Sequence, residues 1–186
     1  MIYLFLTDLL NIDVDKAHAQ AFLQSRKEYI DSIKDTKRKN QSIVAWVLLE
    51  QAFLRIFDKK IERATQRKDG SWSIDNFDGS FSIAHSDNLV CVGVSKDTGF
   101  GIDIEKFTDK ISRLTKRYSI PSDCKNIDEY LLQKFTEEES NYKCGNSAKY
   151  YYSVNVFDKN DGKYKFTLAT TNKTEFNINW ISDLTD

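Results

Sequence analysis

Two carboxylates stand two residues apart in the stretch GFGIDIEKF, Gly99 to Phe107. They are Asp103 and Glu105, with Ile102 and Ile104 interleaved. In an extended segment, residues two apart share a face, with Cα atoms roughly 6–7 Å apart. Both acids therefore converge on one side and the isoleucines on the other. That arrangement suits either a wet edge strand or part of a Mg²⁺ site, which takes a few carboxylates, waters and phosphate oxygens. A third oxygen donor is Glu139. It follows Ile127, Leu131 and Phe135 at steps of four, and Lys143 comes next. Residues four apart lie on one helix face, so Glu139 is expected to extend a buried apolar stripe. A partly buried acid needs a partner, a metal or a proton. The plainer alternative is an exposed Glu139–Lys143 pair worth a few tenths of a kcal/mol. The last candidates are His85 and Ser86, which end FSIAHS, Phe81 to Ser86. A histidine at a strand end can donate to a phosphate oxygen, or it can cap a turn at the surface.

These residues need elements to position them. MIYLFLTDLL is apolar, too short to span a membrane and without a basic leader, and reads as a first buried strand. Residues 13–33 read as a helix capped by Asp13, with Ala17, Phe22, Tyr29 and Ile33 near helical spacing. Residues 37–57 form a second, core helix with a wide stripe through Val44, Leu48 and Phe53. The period then changes to short strands, with turns at Asp69-Gly70 and Asp78-Gly79. Asn88–Ser95 is a valine-rich buried strand, and the Asp103 strand is expected as its hairpin partner. A basic, weakly helical segment runs to Pro121. A helix covers about Asn126 to Cys144 and stops at Gly145, and three strands close the chain. Helices followed by strands, twice over, predict an α+β protein of two similar, pseudo-symmetric halves. Each half has a small antiparallel sheet packed on a helix. The halves are placed at residues 1–96 and 97–186, in one compact unit with the site at their junction.

Composition narrows the classes. The chain has 186 residues, 40% hydrophobic and 30% charged, as expected of an ordinary globular protein. A net charge of −1 supplies no global field for nucleic acid, and no membrane partner is expected. Three cysteines without metal-ligand spacing read as reduced thiols of a cytoplasmic protein. Two histidines make a histidine-built zinc site a poor expectation.

FSIAHS, then GIDIE, then a helix bearing FTEEESNYK occur in an order that resembles the 4'-phosphopantetheinyl transferases, specifically the larger, two-halved, surfactin synthetase-activating type. The resemblance runs through most of the chain. It implies transfer of the phosphopantetheine arm of coenzyme A to a serine of an apo acyl or peptidyl carrier protein, with Mg²⁺, by a monomer. It further implies that Asp103, Glu105 and Glu139 hold the metal and that Lys143 contacts the pyrophosphate. His85 and Ser86 would bind coenzyme A, and Glu139 would serve as base for the carrier serine. Lys110, Arg113, Lys116 and Arg117, with Ile111 and Leu114 among them, would meet an acidic carrier helix.

The sequence also departs from that family. Glu138 stands where relatives carry lysine. Ser71, in DGSW, stands where they have the lysine of Gly-Lys-Pro, and Trp46 replaces an early-helix arginine. Arg67 and Lys68, or Lys37-Arg38-Lys39, are expected to substitute as coenzyme A contacts. Each lost charge-assisted contact costs on the order of 1.5–3 kcal/mol. The alternative is a catalytically impaired relative that binds a carrier protein or a nucleotide.

Overall fold

The computed structural model describes residues 1–20, 24–68 and 71–184. The element order is β1 (Ile2–Asp8), a 3₁₀ turn (Leu9–Asn11), α1 (Val14–Gln20), α2 (Gln24–Ser32) and α3 (Thr36–Phe57). Then come β2 (Ala64–Gln66), β3 (Trp72–Ile74), β4 (Ser80–Ser86), β5 (Leu89–Ser95) and β6 (Phe100–Lys106). A 3₁₀ helix (Asp109–Lys116), α4 (Ile127–Lys143), β7 (Tyr150–Phe157), β8 (Lys163–Thr170) and β9 (Phe176–Trp180) complete the chain. The class is α+β, with small sheets packed against helices.

Four layers stack in the order α3, first sheet, second sheet, α4. The first sheet runs β4-β5-β1-β9, and the second runs β6-β8-β7. β5 reads Leu-Val-Cys-Val-Gly-Val-Ser and is buried along its whole length, because both of its faces are covered. Val90, Val92 and Val94 face the α3 cluster, whereas Leu89 and Cys91 face the cluster between the sheets. Phe100, Ile102 and Ile104 of β6 fill that inter-sheet layer together with Tyr164, Phe166 and Leu168 of β8. β9, from the end of the chain, pairs in parallel with β1, so the first sheet draws strands from both ends of the sequence.

Two expectations are corrected. β6 is not the hairpin partner of residues 88–95. That strand is central and its two edges are taken by β4 and β1, so β6 pairs with β8 in the other sheet. Within the expected helix over 13–33, the described residues are helical as α1 and α2, and Asp13 caps α1 through Lys16 N. Phe22 and the Asp69-Gly70 turn lie outside the described residues. Finally, the buried face of α4 is Leu131, Leu132, Thr136 and Ser140, not a stripe through Ile127 and Phe135. Ile127 is 47% exposed and Phe135 is half-buried.

Gly101 explains the shifted face. A Cβ at that position would lie 2.1 Å from Ser140 O and 2.7 Å from Cys144 N. The backbone of α4 rests directly on β6 there, and only small residues fit at the contact. Asn126 caps the start of α4 by accepting from Glu129 N at 3.1 Å, and Gly145 ends it at φ 69°.

Candidate functional site

The strand alternation expected of GIDIE holds. Ile102 and Ile104 are buried between the sheets, and Gly101, Asp103 and Glu105 face α4. Asp103 is 7% exposed. Its Oδ1 accepts from Lys143 Nζ at 2.8 Å, and the same ammonium donates to Ile102 O at 3.0 Å. Its Oδ2 is buried and has no hydrogen-bond partner among the described residues. Burial, with the Glu139 carboxylate nearby, raises the Asp103 pKa against the pull of Lys143. Burial also raises that of Glu105, and Asp103 and Glu139 add repulsion. Glu139 thus acts on both strand acids, and one ammonium answers the pair.

β4 lies beside β6 without a backbone ladder, and its serines bridge the gap. Ser82 Oγ accepts from Ile102 N at 3.1 Å, and Ser86 Oγ accepts from Lys106 N at 3.1 Å. Ser86 Oγ in turn donates to Glu105 Oε2 at 2.8 Å. The structure therefore engages the Ser86 hydroxyl in orienting Glu105. The alternating serines of SFSIAHS were the signal for this role, and composition alone hides it. His85, one residue earlier, points to the opposite face of β4 and is exposed at its surface. Neighbouring groups still remove part of the ring's water, and this, then the charges of Lys143, Arg38 and Arg26, holds its pKa below the usual histidine value.

A cleft of about 340 Å³ opens beside Lys143, with Arg67, Trp72, Phe81, Gly99 and Cys144 among its walls. Arg67 accordingly sits where a ligand anion could reach it, whereas Lys68 is exposed and is not part of the lining. Trp46 is fully buried and makes no wall of this cleft. It packs in a cage with Tyr29 and Trp72 around Arg26, whose guanidinium carbon lies 4.6–4.9 Å from the three ring centres. Arg26 Nη2 donates to Ser42 Oγ at 2.7 Å, and burial lowers its pKa to about 10. The sequence does not signal a buried arginine here, since two of its three aromatic partners, Trp46 and Trp72, are remote in sequence.

Lys110, Arg113 and Lys116 are exposed on the 3₁₀ helix, which is anchored by Ile111 against Leu131 and Leu132. Arg117 is exposed too, but it is bound to Glu138, with Nη2 to Oε1 at 2.6 Å. The acid that departs from the family pattern thus has a cation of its own.

Among the described residues, no three His, Cys, Asp or Glu side chains form a ready-made metal cluster. Asp103, Glu105 and Glu139 are nevertheless hard oxygen donors, the type that a hard cation takes. Asp103 keeps an orphaned buried oxygen, Glu139 on α4 raises its proton affinity, and Asp103 and Glu139 together raise that of Glu105. A divalent cation between them would reverse that repulsion. No helix among the described residues is long and apolar enough to cross a membrane. No protein-family model matches the chain, and no curated protein matches it.

Proposed function

We propose that the protein is a phosphopantetheinyl transferase acting on coenzyme A and an apo acyl or peptidyl carrier protein. The observation that carries this reading is Asp103. It is a buried carboxylate with one oxygen on Lys143 and the other unpartnered, flanked by Glu105 and near Glu139, beside a cleft walled by Lys143 and Arg67. Asp103, Glu105 and Glu139 would hold Mg²⁺, which supplies charge neutralisation at the pyrophosphate. Lys143 sits on both Asp103 and the cleft, and is suited to a phosphate oxygen as a point charge. Arg67 would take a second anionic group at the other wall.

In the transfer, the carrier serine Oγ forms a bond to the β-phosphorus of coenzyme A. The bond from that phosphorus to the bridging oxygen breaks, and adenosine 3',5'-bisphosphate leaves with the electron pair. The serine proton passes to Glu139, directly or through water. The exposed Lys110, Arg113 and Lys116 would speed encounter with an acidic carrier. A cytoplasmic monomer suits these roles.

The test is intact mass of a panel of apo carrier proteins after incubation with the protein, coenzyme A and Mg²⁺. A gain of one phosphopantetheine, lost with EDTA, supports the transferase. Coenzyme A binding without any gain supports the binding-only relative, and absence of coenzyme A binding removes both.

A further inference from the structure

Arg117 leaves the 3₁₀ helix as its C-cap and turns back over α4. Its Nη2 donates to Glu138 Oε1 at 2.6 Å and lies 4.0 Å from Glu139 Oε1. Its guanidinium carbon is 5.5 Å from the Phe135 ring centre and 5.6 Å from that of Tyr118. The Tyr118 hydroxyl donates to Glu138 Oε2, which fixes the anchor acid from its other side. One cation on one element therefore holds two adjacent acids of another. On the same element, Lys110, Arg113 and Lys116 are exposed and form no ion pair among the described residues.

We infer that Arg117 is a displaceable clamp. It competes with a divalent cation for Glu139, and an acidic protein surface that docks on the exposed cations of the 3₁₀ helix draws it away. This rests on the reading that Glu139 belongs to a cation site. A guanidinium beside Glu139 carries charge of the same sign as a divalent cation and so weakens the cation's binding to that carboxylate. The grip on Glu139 is loose, at 4.0 Å, and both partners are substantially exposed, at 45% and 35%, so water and salt weaken it enough for exchange. Glu138 occupies one of the five donors of the guanidinium, which leaves a fork free for a partner carboxylate. The clamp also gives Glu138 a purpose. Its charge is taken up by Arg117 and does not repel phosphate, and it keeps Arg117 within reach of Glu139.

Mn²⁺ is the probe, titrated by electron paramagnetic resonance into the full chain at low ionic strength. Arg117→Gln should bind Mn²⁺ roughly three- to tenfold more tightly than wild type, and added salt should shrink that gap. Arg117→Lys keeps the charge and should stay closer to wild type. Saturating poly-glutamate, standing in for an acidic partner, should bring the ratio of the two affinities towards one. Chelation by the polymer itself cancels in that ratio. Equal or weaker binding by Arg117→Gln overturns the clamp. A ratio that the polymer leaves unchanged overturns displacement by a partner. Both of those results leave the transferase reading standing. Failure of both proteins to bind Mn²⁺ overturns the cation reading of Glu139, and the clamp falls with it.

Discussion

α3 and α4 do the same architectural work on opposite sides of the stack, and they are made of different chemistry. α3 buries Ile43, Val44, Val47, Leu48, Leu49 and Phe53 against the first sheet. α4 buries Leu131 and Leu132 at its start, and then Thr136 and Ser140 over the second sheet. At the α4 face, Thr136 Oγ1 and Thr167 Oγ1 share a hydrogen bond of 2.7 Å, and Thr167 Oγ1 meets Ser153 Oγ at 2.8 Å. Two turns further on, Lys143 reaches Asp103. An apolar face gains stability from area and tolerates any well-packed hydrocarbon. A polar face gains little net energy from each hydrogen bond, and it fixes where the charged groups must lie. The site sits on the helix whose packing is specified by hydroxyls and by a glycine, not on the better-buried one.

The largest test of that contrast is Asp103→Asn. It keeps the shape and an oxygen for Lys143, and it removes the charge that a cation would need. Transfer to a carrier should fall by about three orders of magnitude or more, as expected when a metal ligand is lost. Stability of the metal-free protein should hold or rise. Burial raises the Asp103 pKa in the folded state, so the charged form is held at a cost once the pH exceeds that value. Mass spectrometry of the carrier reads the first effect, and urea denaturation at pH 7 reads the second. Transfer that survives the substitution would remove Asp103 from the metal site.

Next in size is Gly101→Ala. The added Cβ would meet backbone atoms of α4, at 2.1 Å and 2.7 Å, and backbone cannot swing aside. The helix must lift, with a loss of about 3 kcal/mol, at the upper end of overpacking effects. Gly145, where a Cβ would meet nothing within 4 Å, is a poor site for a similar clash, but its φ of 69° disfavours alanine by about 1 kcal/mol. Thermal denaturation of the two variants separates close approach from backbone preference.

The elements of this fold were legible because their signals are local. The Asn126 cap, the Gly145 stop and the period of two in GIDIE each act within a few residues. Helix α3 was found at 37–57 and observed at 36–57 for the same reason. What failed was non-local. The strand at 89–95 could not reveal that its neighbours would be β4 and β1, because pairing is decided by which faces are covered. The α4 stripe was read one residue off. Thr136 and Ser140 are poor markers of burial until Gly101 is known to lie beneath them. Arg26 carries no local signal of burial, because Trp46 and Trp72 come from distant segments. In the site, residue types were legible and their engagements were not. The Ser86 hydroxyl serves Glu105, and Arg117 serves Glu138.

Glu50 tests the other side of the comparison. It is the acid in the apolar helix, and both of its carboxylate oxygens are buried without a hydrogen-bond partner among the described residues. Burial raises its pKa from 4.5 to about 7, and nearby Trp46 opposes this only in part without a hydrogen bond of good geometry. The folded protein therefore binds this proton more tightly than the unfolded chain does. The stability it confers is full below about 4.5 and is lost as the pH climbs through about 7. Glu50→Gln should leave stability almost unchanged at pH 4.5 and raise it by about 1–3 kcal/mol at pH 8, allowing for partial exposure. Urea denaturation at the two pH values checks this, and a gain of equal size at both would show that the effect is packing and not charge.

The smallest effects come from exchanging the two helices' chemistries. Thr136→Val removes a hydroxyl whose partner, Thr167, still has Ser153, so no buried group is orphaned. The loss should be about 0.5–1 kcal/mol, close to the net value of one hydrogen bond. Val44→Thr does the reverse in the apolar face, where Val44 is fully buried. The new hydroxyl would have to find a carbonyl of its own helix, and the loss should reach about 1–2 kcal/mol. If the two substitutions proved equally harmful, burial alone would govern both faces. If Thr136→Val instead stabilised the protein while lowering transfer, the polar face would be retained for placing Lys143 and Asp103, since the hydroxyl pair would then be a net cost to folding that only function explains.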